Sequence, residues 1–201
     1  LKGMTAQFLI RQTYCVTAGD TILIHAAAGG VGQIVCQWAK SLGATVIGTV
    51  GSPEKAELVR NLGCDHPILY REEDFVSRVA EITDGAKLPV VYDSVGADTF
   101  YKSLDCLRPR GMLVAFGQSS GPVPPLDIGI LAQKGSLFLT RPTLMSYTAT
   151  RADIVAAADD LFAAVGAGHV NINVEQRFAL ADTRAAHEAL EARQTTGSTI
   201  L

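Results

Sequence analysis

The stretch that most constrains this chain is "TILIHAAAGGVGQIVCQWAKSLGATVIGTV", residues 21–50. An unbroken run of apolar and β-branched residues, Thr21–Ala26, passes without a polar linker into Ala27-Ala28-Gly29-Gly30-Val31-Gly32. An amphipathic helical pattern follows over Val31–Leu42, then Gly43, then a second apolar run at Thr45–Val50. Strand, glycine turn, helix and strand in that order make a βα unit whose two strands lie parallel through a right-handed crossover. Strands that are apolar throughout, rather than alternating, belong to a sheet covered on both faces.

The same rhythm continues. Further strands are expected at Pro67–Tyr70, Pro89–Ser94, Met112–Phe116 and Ser136–Thr140, and helices at Pro53–Leu62, Asp74–Thr83, Ala97–Leu107 and Leu126–Gln133. Gly43 and Gly63 stand where helices end and Pro53 where one begins. The fold class is therefore α/β: a doubly wound, six-stranded parallel sheet of the Rossmann type. After residue 145 the pattern changes. Thr150 is placed to cap a long helix that ends near Gly166 and Gly168, and "NVEQRFAL" and "STIL" read as strands flanking a helix at Ala181–Arg193. They do not extend the βα series and are expected to belong to another sheet. The division drawn is a nucleotide-binding unit over 1–145 and a helix plus returning segment over 146–201. The opening "LKGMTAQFLIRQTY" reads as an apolar helix whose partners are not obvious in this chain, and a piece of a longer protein is expected. One conspicuous loop, "GQSSGPVPP", spans 117–125.

Composition narrows the function classes. With 17 basic against 20 acidic residues the net charge is -3, which gives no electrostatic reason to expect nucleic acid or an anionic membrane as partner. No apolar run approaches the roughly 18 residues of a spanning helix. Cys15, Cys36, Cys64 and Cys106 are dispersed, without a C-x-x-C or ligand-spaced cluster, so free thiols, no metal and a cytoplasmic location are expected.

The glycine turn points to chemistry. Small residues let a diphosphate approach the backbone while the helix N-terminus offers unpaired N–H groups and a positive dipole end. The motif departs from G-x-G-x-x-G by an alanine at its first glycine position, and a tight turn without ligand is the plain alternative. Where an acid commonly binds the adenosine ribose, the second strand instead runs into Gly51-Ser52-Pro53-Glu54-Lys55. Gly51 and Ser52 leave room for a 2′-phosphate, and Lys55 sits in the first turn of the next helix, so NADP(H) is favoured over NAD(H). Lys55 as a solvated surface lysine, and Glu54 as a ribose ligand, are the alternatives. No nucleophile or acid–base dyad emerges. Ser94, Asp93 and His25 lack an elbow motif, and His66 and His187 read as structural or surface residues.

"LIHAAAGGVGQIVCQWAKSLGATVIGTVGSPEK", "LYREEDF", "VVYDSVGADTFYKSLDCLRPRGMLVAFGQSSG" and "GSLFLTRP" together resemble the NADPH-dependent quinone oxidoreductases. These are the zeta-crystallin-like, zinc-free branch of the medium-chain dehydrogenase/reductases, and the resemblance runs from Leu1 to Leu201. It implies a missing N-terminal GroES-like domain that carries much of the substrate cleft, and a C-terminal segment that returns to it. It implies that Gly30 and Val31 face the diphosphate, and that Gly51, Ser52 and Lys55 with Tyr70 hold the 2′-phosphoadenosine end. Ser94 and Val95 would border the crevice, and Phe116, Gly117, Gln118 and Ser119 would pass beneath the nicotinamide ribose. Arg141, Pro142 and Thr143, Thr5, and Arg193 from the returning segment would approach the cofactor as well. Plainer roles compete for Tyr70 (a strand-end aromatic), Thr5 (a cap or surface residue) and Arg193 (a solvated helix end). The resemblance further implies hydride transfer from NADPH to a quinone with no catalytic side chain in this chain, and a homodimer through the edge strand 136–140. The chain alone would bind cofactor and turn over little. A zinc-free enone or enoyl-thioester reductase is the nearest alternative. Zinc alcohol dehydrogenases fit less well, for want of a four-cysteine lobe and an acid at the second strand. A bulk crystallin-like or RNA-binding role is a third reading, and the lack of a basic stripe or stacking platform speaks against RNA.

Overall fold

The computed structural model describes residues 1–192 and 194–201, so the expectation for Arg193 lies outside the described residues. A six-stranded sheet has the order β3-β2-β1-β4-β5-β6, with every neighbouring pair parallel. Its strands are β1 (Thr21–Ile24), β2 (Thr45–Val50), β3 (His66–Leu69), β4 (Leu88–Asp93), β5 (Leu107–Ala115) and β6 (Phe138–Thr140). The crossovers contain α2 (Gly30–Ser41), α3 (Pro53–Asn61), α4 (Phe75–Ile82), α5 (Phe100–Asp105) and α6 (Gly129–Gln133). This is the doubly wound arrangement expected from the sequence.

Successive strand residues face opposite sides of the sheet, and the core divides accordingly. Ile22, Ile24, Val46 and Tyr92 pack with Ile34, Val35 and Trp38 of α2 on one side. Leu23, Ile47 and Val91 pack with Val79 of α4 and Leu104 of α5 on the other. Each such side chain, taken fully out of water, contributes roughly 1.5–3 kcal/mol. Caps start the helices at defined points. Ser52 accepts from the Lys55 amide at 3.4 Å with Pro53 opening α3, and Asp74 accepts from the Ser77 amide at 3.1 Å to open α4.

Some boundaries move, for local reasons. The helix expected from Ala97 begins at Phe100, because residues 94–99 form a turn gathered around the Asp93 carboxylate, whose Oδ1 accepts from the amides of Val95 (2.8 Å) and Gly96 (3.1 Å). Strand β5 starts at Leu107, five residues before the expected Met112, since Leu107 pairs with Leu88 before a register shift. The chain passes that irregularity with Arg110 at φ 61°. Ser136, at φ 56°, remains outside β6, which begins at Phe138. Helix α6 starts at Gly129, after the proline-containing loop.

The opening helix finds its partners within the chain, contrary to expectation. Helix α1 (Lys2–Phe8) and the π-turn Leu9–Thr13 bury Ala6, Phe8, Leu9 and Ile10 in the first core. Phe8 stacks on Tyr147 of the short helix α7 (Leu144–Tyr147), with ring centroids 4.5 Å apart. Gln7 donates to Asp160 at 3.0 Å, and Asp160 lies on α8 (Arg151–Gly166). Helix α8 opens with the reciprocal Thr150–Asp153 capping box. Beyond it, β7 (Val174–Arg177) and β8 (Ser198–Ile200) pair parallel in a separate two-stranded sheet, with α9 (Thr183–Glu191) between them. The returning chain meets the glycine turn through a bridge between Gly29 and Gly197.

Candidate functional site

The strand order reverses between β1 and β4, and a crevice opens at the carboxyl ends of the strands at such a point. A cleft of about 750 Å³ lies there, bordered by the glycine turn (Ala28, Gly29), the end of β2 with α3 (Gly51, Ser52, Lys55) and the end of β3 (Tyr70, Arg71). Val95, Thr99 and Ser119 border its other side.

The turn is shaped by close approach. The Gly29 amide donates to the Ala26 carbonyl at 2.9 Å, and the first intrahelical bond runs from the Gln33 amide to the Gly29 carbonyl, also 2.9 Å. The amides of Gly30, Val31 and Gly32 precede that bond, leaving the positive end of α2 at the turn. A Cβ on Gly32 would lie 2.5 Å from the carbonyl oxygens of Ala26 and Ala27, so only glycine lets the helix start so near the strand. A Cβ on Gly30 would lie 2.5 Å from Lys2 Cδ and 2.8 Å from the Gly197 carbonyl. Gly30 is thus demanded by its protein neighbours, the Gly197 carbonyl above all.

At the far end, Gly51 allows the Tyr70 hydroxyl to lie within 3.0 Å of where a Cβ would stand. Ser52, Lys55, Tyr70 and Arg71 therefore converge where β2 and β3 end. Glu54 is exposed beside the Ser52 hydroxyl, which together with a backbone amide holds its carboxyl below the usual range. It borders no part of the cleft.

The floor is a buried polar network. Asp93 Oδ2 accepts from Ser103 Oγ at 2.9 Å, and Ser103 Oγ lies 3.0 Å from His25 Nε2. His25 Nδ1 lies 2.9 Å from Thr49 Oγ1. Since Ser103 gives its one proton to Asp93, it accepts from Nε2–H, and Nδ1 accepts from Thr49. All four side chains are buried. Burial holds the His25 pKa below its ordinary value despite the nearby Asp93 carboxylate. The serine involved is Ser103, not Ser94, and it stands between histidine and aspartate rather than at the end of the relay. With its proton committed and no solvent access it cannot serve as a nucleophile.

The remaining expected residues form a second group. Gly117 packs so closely that a Cβ would meet the Ser94 carbonyl at 2.5 Å, while the Ser119 amide donates to that carbonyl at 3.1 Å. Loops 94–95 and 116–119 are thereby one unit, with Gln118 accepting from the Gly121 amide and Phe116 packed on the first core. Val95 and Ser119 border the cleft; Ser94, Phe116, Gly117 and Gln118 do not. Arg141 donates to the Ala115 carbonyl at 2.9 Å, Pro142 is buried, and Thr143 Oγ1 lies 3.3 Å from Ser146 Oγ. Thr5 donates to the Leu1 carbonyl at 3.1 Å, within its own helix, and Val31 is half-buried against the first core. None of Thr5, Gly30, Val31, Arg141, Pro142 and Thr143 lines the cleft.

Sequence reasoning passed over Arg71, Thr99, Lys102 and, from the returning segment, Leu190 and Thr195, all of which line the cleft. Arg71 could have been found by its adjacency to Tyr70. Lys102 could not, because its 3.0 Å ion pair with Asp74 and its place 6.0 Å from the Phe75 ring join separate helices.

Comparison with known proteins gives the site a family. A family model described as zinc-binding dehydrogenase matches residues 30–168. A quinone oxidoreductase of Pseudomonas aeruginosa is 58% identical over all of this chain and 62% of its own length. A 2-haloacrylate reductase of a Burkholderia species is 52% identical, again over all of this chain and 61% of its own. The crystal structure of Escherichia coli quinone oxidoreductase complexed with NADPH superposes with a TM-score of 0.97 at 50% identity, covering 100% of this chain and 63% of that one. The chain thus spans somewhat over three-fifths of these relatives. As to the zinc in the family's description, no three or more His, Cys, Asp or Glu side chains are grouped to hold a metal ion among the described residues. Cys36, Cys64 and Cys106 are buried apart from any such set, and burial pushes the Cys106 thiol up to about 12. No step is therefore assigned to a metal. The match over residues 30–168 and the identity along the whole chain place it in the zinc-binding dehydrogenase family.

Proposed function

We propose that this chain is the NADPH-binding portion of an NADPH:quinone oxidoreductase. One observation carries the reading. Ser52, Lys55, Tyr70 and Arg71 converge at the end of β2, which runs into Gly51 and Ser52 rather than into an acid, and the same cleft reaches the glycine turn. Cationic and hydroxyl donors beside a helix N-terminus suit a phosphate on the adenosine ribose. The amides at the start of α2 suit the diphosphate, and the reactive end is assigned to the strapped loops 94–95 and 116–119, of which Val95 and Ser119 border the cleft. When bound, the dihydronicotinamide supplies the hydride. The chain's own residues bind and orient it, and no side chain here is assigned a proton transfer. The named relatives that are quinone oxidoreductases support the acceptor class; the 2-haloacrylate reductase, at 52% identity, favours an activated alkene as the second reading.

Turnover is proposed for a protein of the relatives' length, with cofactor binding assigned to this chain. The proposal is zinc-free and places the protein in the cytoplasm, for which scattered free cysteines are the support. It also includes a homodimer through β6, which among the described residues pairs only with β5 and leaves Phe138 57% exposed at the sheet edge.

Titration with NADPH and, separately, NADH tests the reading. NADPH is expected to bind at least about tenfold more tightly, or ~1.4 kcal/mol, and Lys55→Ala should abolish the preference. Equal affinities in the unmodified chain would refute it. Steady-state assays of a relatives'-length protein with a quinone and with a 2-haloacrylate separate the two acceptor readings.

A further inference from the structure

Helix α1 packs along α2, and its first residue, Lys2, comes to the glycine turn. The Lys2 stem occupies the space a Gly30 side chain would need, with Cδ 2.5 Å and Cε 2.8 Å from that position. Its ammonium lies 3.4 Å from the Gly197 carbonyl, a long contact for such a donor. Gly197 is itself fastened to the turn, its amide donating to the Ala28 carbonyl at 3.0 Å. The lysine nitrogen is thus held close to the amides of Gly30 and Val31, where α2 begins.

This is an unfavourable place for a cation. The start of a helix carries partial positive charge, and carboxylates rather than ammonium groups are stabilised there. Lys2 makes no ion pair among the described residues, and partial burial lowers its pKa. A doubly negative group resting on the turn would satisfy the ammonium and the helix end together. The cleft bordered by Ser52, Lys55 and Tyr70 suits the adenosine half of a dinucleotide and reaches Ala28 and Gly29, next to the Gly30 on which the Lys2 stem packs.

We infer that Lys2 is a binding residue for the cofactor's diphosphate, acting beside the α2 amides. The inference rests on the cofactor reading above. The competing role is a purely structural staple, in which the Lys2–Gly197 contact merely holds the returning segment against the turn.

Affinities of the unmodified chain, Lys2→Met and Lys2→Arg for NADPH and for adenosine 2′-monophosphate separate these roles. The second ligand carries the adenosine and the 2′-phosphate but no diphosphate, and Met keeps the stem that packs on Gly30. Lys2→Met is expected to weaken NADPH about tenfold and to leave adenosine 2′-monophosphate within about twofold, while Lys2→Arg retains most of the NADPH affinity. Equal weakening of both ligands, or no change in either, overturns the inference and leaves the cofactor reading intact. An unmodified chain that binds neither ligand overturns both.

Discussion

Replacing Ser103 by alanine tests whether the cleft floor is held by its polar network. The hydroxyl donates to Asp93 Oδ2 at 2.9 Å and accepts from His25 Nε2 at 3.0 Å, and Ser103 is fully buried. Its loss leaves Asp93 with donors in Val95, Gly96 and Thr99, so the carboxylate remains satisfied. The imidazole N–H has no such reserve, and a buried donor left without a partner costs about 1–3 kcal/mol. Adding the lost bond to the carboxylate, the expected destabilisation is about 2–4 kcal/mol. In a domain of this size each kcal/mol moves Tm by about 2–4 °C, which gives a fall of roughly 4–16 °C. The assay is thermal and urea unfolding of Ser103→Ala, His25→Leu and the double variant. Removing both polar partners spares the orphaned N–H, so the double variant should cost less than the sum of the singles by at least about 0.5 kcal/mol. A Ser103→Ala cost below about 0.5 kcal/mol, or strict additivity, would refute the network as drawn.

The pH dependence follows from His25, whose folded pKa lies below the unfolded 6.5 because burial disfavours the imidazolium. Stability present above that unfolded value is lost as pH falls toward the folded one, since the unfolded chain takes up the proton first. Urea midpoints between neutrality and mildly acidic pH should therefore decline more steeply for the unmodified chain than for His25→Gln; parallel curves would exclude a buried neutral imidazole. Gly32→Ala forces a methyl to 2.5 Å from two backbone carbonyl oxygens, and should abolish NADPH binding while lowering Tm; retention of both would mean that α2 need not start so close to β1. Phe138→Glu places charge on the exposed edge of β6 and should convert a dimer to a monomer in sedimentation, whereas an unmodified chain that is monomeric at micromolar concentration sinks the dimer.

The βα order was legible because local patterns report it directly. Fully apolar runs mark doubly covered strands, Gly43 and Gly63 take positive φ at helix ends, and Ser52, Asp74 and Thr150 cap helices through their own following residues. The glycine turn is confined to residues 27–32, and Ser52 meets the amide of Lys55 in the next turn of chain, so sequence alone determined each of them. What it could not determine depends on contacts between distant segments. Nothing local says that the opening helix will stack Phe8 on Tyr147, or that Lys102 will face the same cleft as Lys55. His25, Thr49, Asp93 and Ser103 become a network only when β1, β2, β4 and α5 are side by side. Lys2 and Gly197, at opposite ends of the chain, meet at Gly30 for the same reason. Periodicity and capping energies act over a few residues and can be read along the chain, whereas burial and polar pairing are decided by neighbours that only the closed tertiary structure brings together.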